Sequence, residues 1–181
     1  MKHQKIIILD FGSQYTQLIA RRLRELSVYS EILPYSASLE EIEAQAPVGI
    51  ILSGGPRSIS DSDAPRADSR LLELGVPVLG VCYGMQWMTD VLGGDVSHAH
   101  HREYGHVVIE LDQASSLFKK VPQRIQVWAS HGDAVTAPPP GFTVLATSEN
   151  APVAAMADIK RNLFSLLFHP EVAHTECGAD I

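Results

Sequence analysis

Apolar and polar positions follow two rhythms along this chain. Ile6-Ile7-Ile8-Leu9 is an unbroken, β-branched apolar run, as a strand covered on both faces must be. Over residues 14–26 the apolar positions Tyr15, Leu18, Ile19, Leu23 and Leu26 recur at three- and four-residue steps, which predicts an amphipathic helix. Arg21, Arg22 and Arg24 fall near its carboxyl end, where cations complement the helix dipole. Residues 29–33 read as a second strand. Residues 38–46 read as a short helix capped by Ser38, with Glu41 in the capping-box position. A third apolar run, 48–52, ends at Ser53-Gly54-Gly55-Pro56, and the polar stretch 57–65 reads as a surface loop. Residues 67–74 look helical, 76–81 form a fourth strand, and 85–92 form a helix stopped by Gly93-Gly94.

Beyond Gly94 the pattern changes. Residues 107–111, 125–128, 143–147, 153–157 and 163–168 read as strands without full helices between them, and Pro138-Pro139-Pro140-Gly141 as a turn. The expected fold is therefore α/β, a single domain over residues 1–181. Its central, mostly parallel sheet is flanked by helices and continued in the second half by an antiparallel or mixed extension.

Composition narrows the function. The 181 residues carry 14 Lys and Arg against 21 Asp and Glu, a formal net charge of −7 without a basic run. That argues against nucleic acid and anionic membrane as partners. With 45% apolar and 19% charged residues the mixture is globular, not disordered. The apolar run at 6–9 is too short for a secretory core of about 7–15 residues or a membrane helix of about 20. Two cysteines, Cys82 and Cys177, suit a reduced compartment, so the expected location is cytoplasmic.

The sharpest local feature is Gly80-Val81-Cys82-Tyr83-Gly84, between a buried strand and a helix. It has the spacing of a nucleophile elbow, in which a tight strand-to-helix turn lifts the nucleophile toward the positive end of the helix, an environment that favours thiolate. The competing reading is a small buried hydrophobe. A cysteine nucleophile needs a base and a group to orient it. Of eight histidines, His169 follows an apolar strand and has a carboxylate two residues on, in His169-Pro170-Glu171. His131, in Ser130-His131-Gly132-Asp133, is the rival base, although its acidic neighbour falls in what reads as a glycine loop. Ser53-Gly54-Gly55-Pro56 offers unobstructed backbone N–H groups for an oxyanion at another strand end. These pieces share the sheet edge where ligands bind in open α/β folds. Asp10-Phe11-Gly12 is a coincidental kinase triplet, and Cys177 a bystander. His98, His100 and His101 read as a solvated loop, since no carboxylate or cysteine is spaced to complete a metal site.

The stretches Gly80-Val81-Cys82-Tyr83-Gly84-Met85-Gln86, Ser53-Gly54-Gly55-Pro56 and His169-Pro170-Glu171 resemble the class I, triad-type glutamine amidotransferases. Within that family, four further stretches are similar to the glutaminase domains of GMP synthetases. They are Leu9-Asp10-Phe11-Gly12-Ser13-Gln14-Tyr15-Thr16-Gln17-Leu18, Arg102-Glu103-Tyr104-Gly105, Ser130-His131-Gly132-Asp133 and Pro170-Glu171-Val172-Ala173-His174-Thr175. The likeness covers nearly the whole chain.

The resemblance implies a flavodoxin-like core and hydrolysis of L-glutamine to glutamate and ammonia. Cys82 would carry the glutamyl thioester, His169 would act as base and acid, and Glu171 would orient it. Gly55 and Tyr83 N–H groups would form the oxyanion hole, with Gly54, Gln86, Gly132 and Asp133 holding glutamine. No cofactor is expected in this domain. ATP and Mg belong to the synthetase (ATP pyrophosphatase) domain, the implied partner, which is absent from these residues and aminates XMP to GMP. Three departures stand out. Leu167 occupies a position usually polar in the family, Ala134 one where Lys is common, and a closing helix is expected beyond Ile181. Two other readings compete: a catalytically silent docking module, and an amidotransferase of another pathway, such as anthranilate or carbamoyl phosphate synthesis.

Overall fold

The computed structural model describes residues 4–112 and 115–181; His3 and the side chains of His100 and His101 lie outside the described residues. The first half alternates β1 (Lys5–Asp10), α1 (Thr16–Glu25), β2 (Tyr29–Pro34), α2 (Leu39–Ala44), β3 (Gly49–Leu52), β4 (Val78–Val81) and α3 (Tyr83–Val91). The second half adds β5 (Asp95–Leu111), β6 (Arg124–Ala137), β7 (Thr143–Ser148), β8 (Ala155–Asp158) and β9 (Leu163–Leu166). Among the described residues nine strands join one sheet in the order β2-β1-β3-β4-β9-β8-β7-β5-β6. Strands β2, β1, β3, β4 and β9 pair in parallel, and from β9 onward every pairing is antiparallel. This is the expected α/β architecture with its antiparallel extension.

Side-chain alternation explains the layering, because successive residues of a strand face opposite sides. Ile7, Leu9, Ile50, Leu52 and Val78 pack with Ile42 of α2 and with Trp87 and Met88 of α3. Ile8, Ile51 and Val81 pack with Ile19 and Ala20 of α1 on the other side. Each such side chain, once fully buried, contributes about 1.5–3 kcal/mol. The continuous apolar runs of β1 and β3 are thus what two covered faces demand. The capping box of α2 forms as read, with Glu41 N–H donating to Ser38 Oγ at 3.2 Å and Ser38 N–H to Glu41 Oε2 at 2.7 Å.

Several boundaries differ from expectation. The helix expected at 67–74 is a short 3-10 turn, Ser69–Glu73, where the Asp68 carboxylate accepts from Arg70 N–H and tightens the chain. Helix α3 starts at Tyr83, two residues earlier than its periodicity suggested. The largest correction concerns two segments read as loops, around His98 and around Gly132-Asp133. Both lie inside the long β5–β6 hairpin, where His98 pairs with Asp133 and Glu103 with His131 across a register shift. Their polar side chains satisfy one another, so the apolar alternation that announces a strand is missing. Among the described residues no helix is long and apolar enough to cross a membrane.

Candidate active site

Strand β4 ends at Val81 and α3 begins at Tyr83, so Cys82 alone makes the turn, with φ 51° and ψ −106°. A non-glycine residue held at positive φ costs on the order of 1–3 kcal/mol and persists only where its surroundings enforce it. Here Cys82 N–H donates to Leu166 O on β9 at 2.7 Å, and the Cys82 carbonyl accepts from the Met85 and Gln86 N–H groups at 3.0 and 3.1 Å. The flanking glycines are obligatory. A Cβ at Gly84 would lie 2.4 Å from Leu52 O, and one at Gly80 would lie 2.8 Å from the Gly84 carbonyl.

The chain brings His169 to this sulfur by extending past β9, next to β4 in the sheet. His169 N–H donates to Trp128 O at 2.9 Å. Thr175 Oγ1 donates to His169 O at 2.6 Å and accepts from Trp128 N–H at 2.9 Å, stitching the segment to β6. The imidazole Nδ1 meets Glu171 Oε1 at 2.7 Å, and the ring is hydrogen-bonded to the Cys82 side chain. Cys82, His169 and Glu171 are 3%, 2% and 4% exposed. Burial pushes the imidazolium toward losing its proton. Hydrogen bonds to the Cys82 sulfur and the Glu171 carboxylate outweigh that and lift His169 from the usual 6.5 to about 10. The imidazole is therefore set between sulfur and carboxylate, the arrangement that a thiol nucleophile with an oriented base requires.

Sulfur and imidazole open on a cavity of about 490 Å³, which Gly55, Gln86, Gly132 and Asp133 also line. Gly54 packs against the pair: a Cβ there would sit 3.1 Å from His169 Cε1 and 3.5 Å from Cys82 Cβ. The Tyr83 ring is a core anchor. Its hydroxyl donates to Pro65 O at 2.7 Å, and burial pushes it up to about 12. Its N–H, at the first position of α3, has no intrahelical acceptor. Gln86 Nε2 donates to Asp133 O at 3.2 Å. The Cys82 thiol also reaches Ser130 O at 3.6 Å, so the 130–133 segment of β6 walls the cavity beside the sulfur.

Of the nine residues expected at the site, Gly55, Cys82, Gln86, Gly132, Asp133 and His169 line this cavity. Glu171 and Gly54 lie behind them against His169, and Tyr83 follows Cys82 into the core. The rival base is engaged elsewhere: His131 Nε2 meets the buried carboxylate of Glu103 at 3.1 Å. Burial pushes Glu103 up, but the His131 contact and the Ser148 hydroxyl, donating at 2.7 Å, hold it below the usual carboxylate range. His98, read as part of a solvated loop, places Nδ1 2.5 Å from Asp133 Oδ1, and Ser58 Oγ donates to Asp133 Oδ2 at 2.5 Å. Arg22, read only as a dipole partner, donates from Nε to the Glu171 backbone carbonyl at 2.9 Å. Local pattern carries no signal for contacts between residues so far apart in the chain. Leu167 and Ala134 are 1% and 3% exposed; Leu167 packs with Met85, Val135 and Met156 in a small apolar cluster. Among the described residues no three His, Cys, Asp or Glu side chains are grouped to hold a metal ion.

Comparison with known proteins gives a consistent picture. The family model described as glutamine amidotransferase class-I matches residues 7–181. GMP synthase (glutamine-hydrolyzing) of Campylobacter lari is 55% identical over 181 residues, which is 100% of this chain and 35% of that protein. The protein of the same name from Bacillus cereus is 52% identical over 180 residues, 99% of this chain and 35% of its own length. The chain thus spans about a third of the length of these curated relatives. A solved Thermoplasma acidophilum structure assigned as a GMP synthase subunit superposes with a TM-score of 0.84 at 31% identity, covering 98% of this chain and 89% of that one. A Thermotoga maritima glutamine amidotransferase, at 23% identity and a TM-score of 0.74 over 94% of this chain and 77% of its own, shares the fold.

Proposed function

Because the chain belongs to the class-I glutamine amidotransferases, we propose that it hydrolyses L-glutamine to glutamate and ammonia through Cys82, His169 and Glu171. The observation that carries this reading is the strained Cys82, hydrogen-bonded to an imidazole that Glu171 orients, at the wall of a cavity. The Cys82 sulfur attacks the side-chain carboxamide carbon, and the oxyanion is received by the Gly55 and Tyr83 N–H groups. His169 passes its proton to the departing nitrogen, releasing ammonia and leaving a glutamyl thioester. The same imidazole then takes a proton from water, whose oxygen attacks the thioester and returns the thiol. Gln86, Gly132 and Asp133 hold the amino-acid end, and Gly54 leaves room for imidazole and sulfur to meet. We further propose that the ammonia serves an ATP- and Mg-dependent synthetase component that converts XMP to GMP. The length of the GMP synthase relatives beyond the matched third supports that partner.

The test is ammonia release from glutamine by the chain, alone and with such a synthetase component and its nucleotide substrates. Turnover in either condition, lost in Cys82→Ala and kept in Cys177→Ala, is the expected result. A folded chain that releases no ammonia in either condition sinks the proposal.

A further inference from the structure

The stretch Arg102-Glu103-Tyr104-Gly105 on β5 splits its work between two faces. Glu103 turns inward to His131 and Ser148, whereas Arg102 and Tyr104 lie over Gly132 on the cavity wall. A Cβ built on Gly132 would sit 3.5 Å from Tyr104 Oη and 3.8 Å from both Cδ and Nε of Arg102. Gly132 is two residues past Ser130, whose carbonyl is 3.6 Å from the Cys82 sulfur. The Arg102 guanidinium therefore stands over the wall just beyond the reacting centre.

Other basic side chains on this wall already have partners. Arg57 pairs with Asp61 and Asp63, His98 with Asp133, His131 with Glu103, and His169 with Glu171. Among the described residues no carboxylate forms an ion pair with Arg102, although it lines the same cavity. An unpaired guanidinium fork suits a planar carboxylate, which it binds through two parallel N–H···O bonds. The buried Glu103–His131 pair fixes the strand next to it, so the fork is presented from a rigid base.

We propose that Arg102 is a specificity residue that binds the α-carboxylate of free glutamine, admitting the amino acid and rejecting carboxamides that lack this group, such as glutaminyl residues within a peptide. The inference rests on the glutaminase reading above. Its test is calorimetric binding to the Cys82→Ala chain, which cannot turn the ligand over, using L-glutamine and L-glutaminamide, whose α-carboxylate is replaced by a neutral amide. The Cys82→Ala chain is expected to prefer glutamine at least tenfold. Adding Arg102→Gln weakens glutamine at least tenfold and leaves glutaminamide within about twofold, consistent with loss of a charge-assisted pair. Arg102→Lys, which keeps the charge without the fork, recovers part of the preference. An unchanged preference in Arg102→Gln overturns the proposal, and so does a parallel loss of both ligands, which marks a structural role. If Cys82→Ala binds neither ligand, the glutaminase reading itself falls and this inference with it.

Discussion

Gly84→Ala tests how tightly the elbow controls the sulfur. The added methyl would lie 2.4 Å from Leu52 O, 2.7 Å from Leu52 Cβ and 2.9 Å from Leu52 C. Ordinary carbon–oxygen and carbon–carbon contacts begin near roughly 3.3 and 3.5 Å, so α3 must move from β3 by about 1 Å. Forcing such a shift costs about 1–3 kcal/mol, offset by roughly 0.5–1 kcal/mol from replacing a helical glycine. A net loss of about 1 kcal/mol in a chain of this size lowers Tm by about 2–4 °C. The chemical effect should be larger, because Cys82 caps α3 and travels with it while His169 is pinned to β6. A misplacement of about 1 Å at a reacting centre costs about 10²-fold in rate. Thermal melting together with the rate of Cys82 alkylation by a glutamine-like electrophile reads both effects. A variant within about 1 °C of the parent that is labelled at the parental rate would refute the steric account of the elbow.

Four further outcomes follow from contacts around the triad. His169 keeps its proton through neutral pH and releases it near 10, so Cys82→Ala and Glu171→Gln must each lower its midpoint in an NMR titration; a midpoint unmoved in both would contradict the assigned causes. Since the folded value lies above the ordinary 6.5, the stability this group lends is complete below about 6.5 and is lost as pH rises through about 10, which urea midpoints across that range will register. Glu171→Gln should slow glutamine hydrolysis less than His169→Ala does, by a margin of about 10- to 100-fold, because orienting the base is secondary to being the base; the reverse order of rates would reject these roles. Arg22→Met removes the donor that holds the Glu171 carbonyl and should lower kcat severalfold with a Tm loss of about 2–4 °C. Arg21→Met, which loses only an exposed pairing with Glu25, serves as the control, and equal kcat in the two variants would dismiss the positional role of Arg22.

What was legible in the sequence is what local sterics and covalent spacing enforce. Gly80 and Gly84 betray the elbow because a methyl group at either would strike backbone. His169-Pro170-Glu171 betrays the orienting pair because the two side chains lie within reach along one short, proline-fixed segment. The parallel half of the sheet was readable because covered strands are apolar throughout. The β5–β6 hairpin was not, because Glu103, His131, His98 and Asp133 are polar residues that satisfy one another across the ladder. Similarly, Arg22 sits where a helix-dipole argument puts a cation, yet its donor serves a carbonyl brought near only by the completed sheet.

The position of β9 in the sheet has a consequence for biosynthesis. It follows the other eight described strands in chain order, yet it lies between β4 and β8, holds the Cys82 N–H through Leu166 and leads directly into His169. A polypeptide emerging from the ribosome therefore carries its cysteine long before it carries the imidazole that arms it. The site is assembled only when β9 slots into the middle of a sheet already begun, so a chain cut before β9 would hold the sulfur without its imidazole.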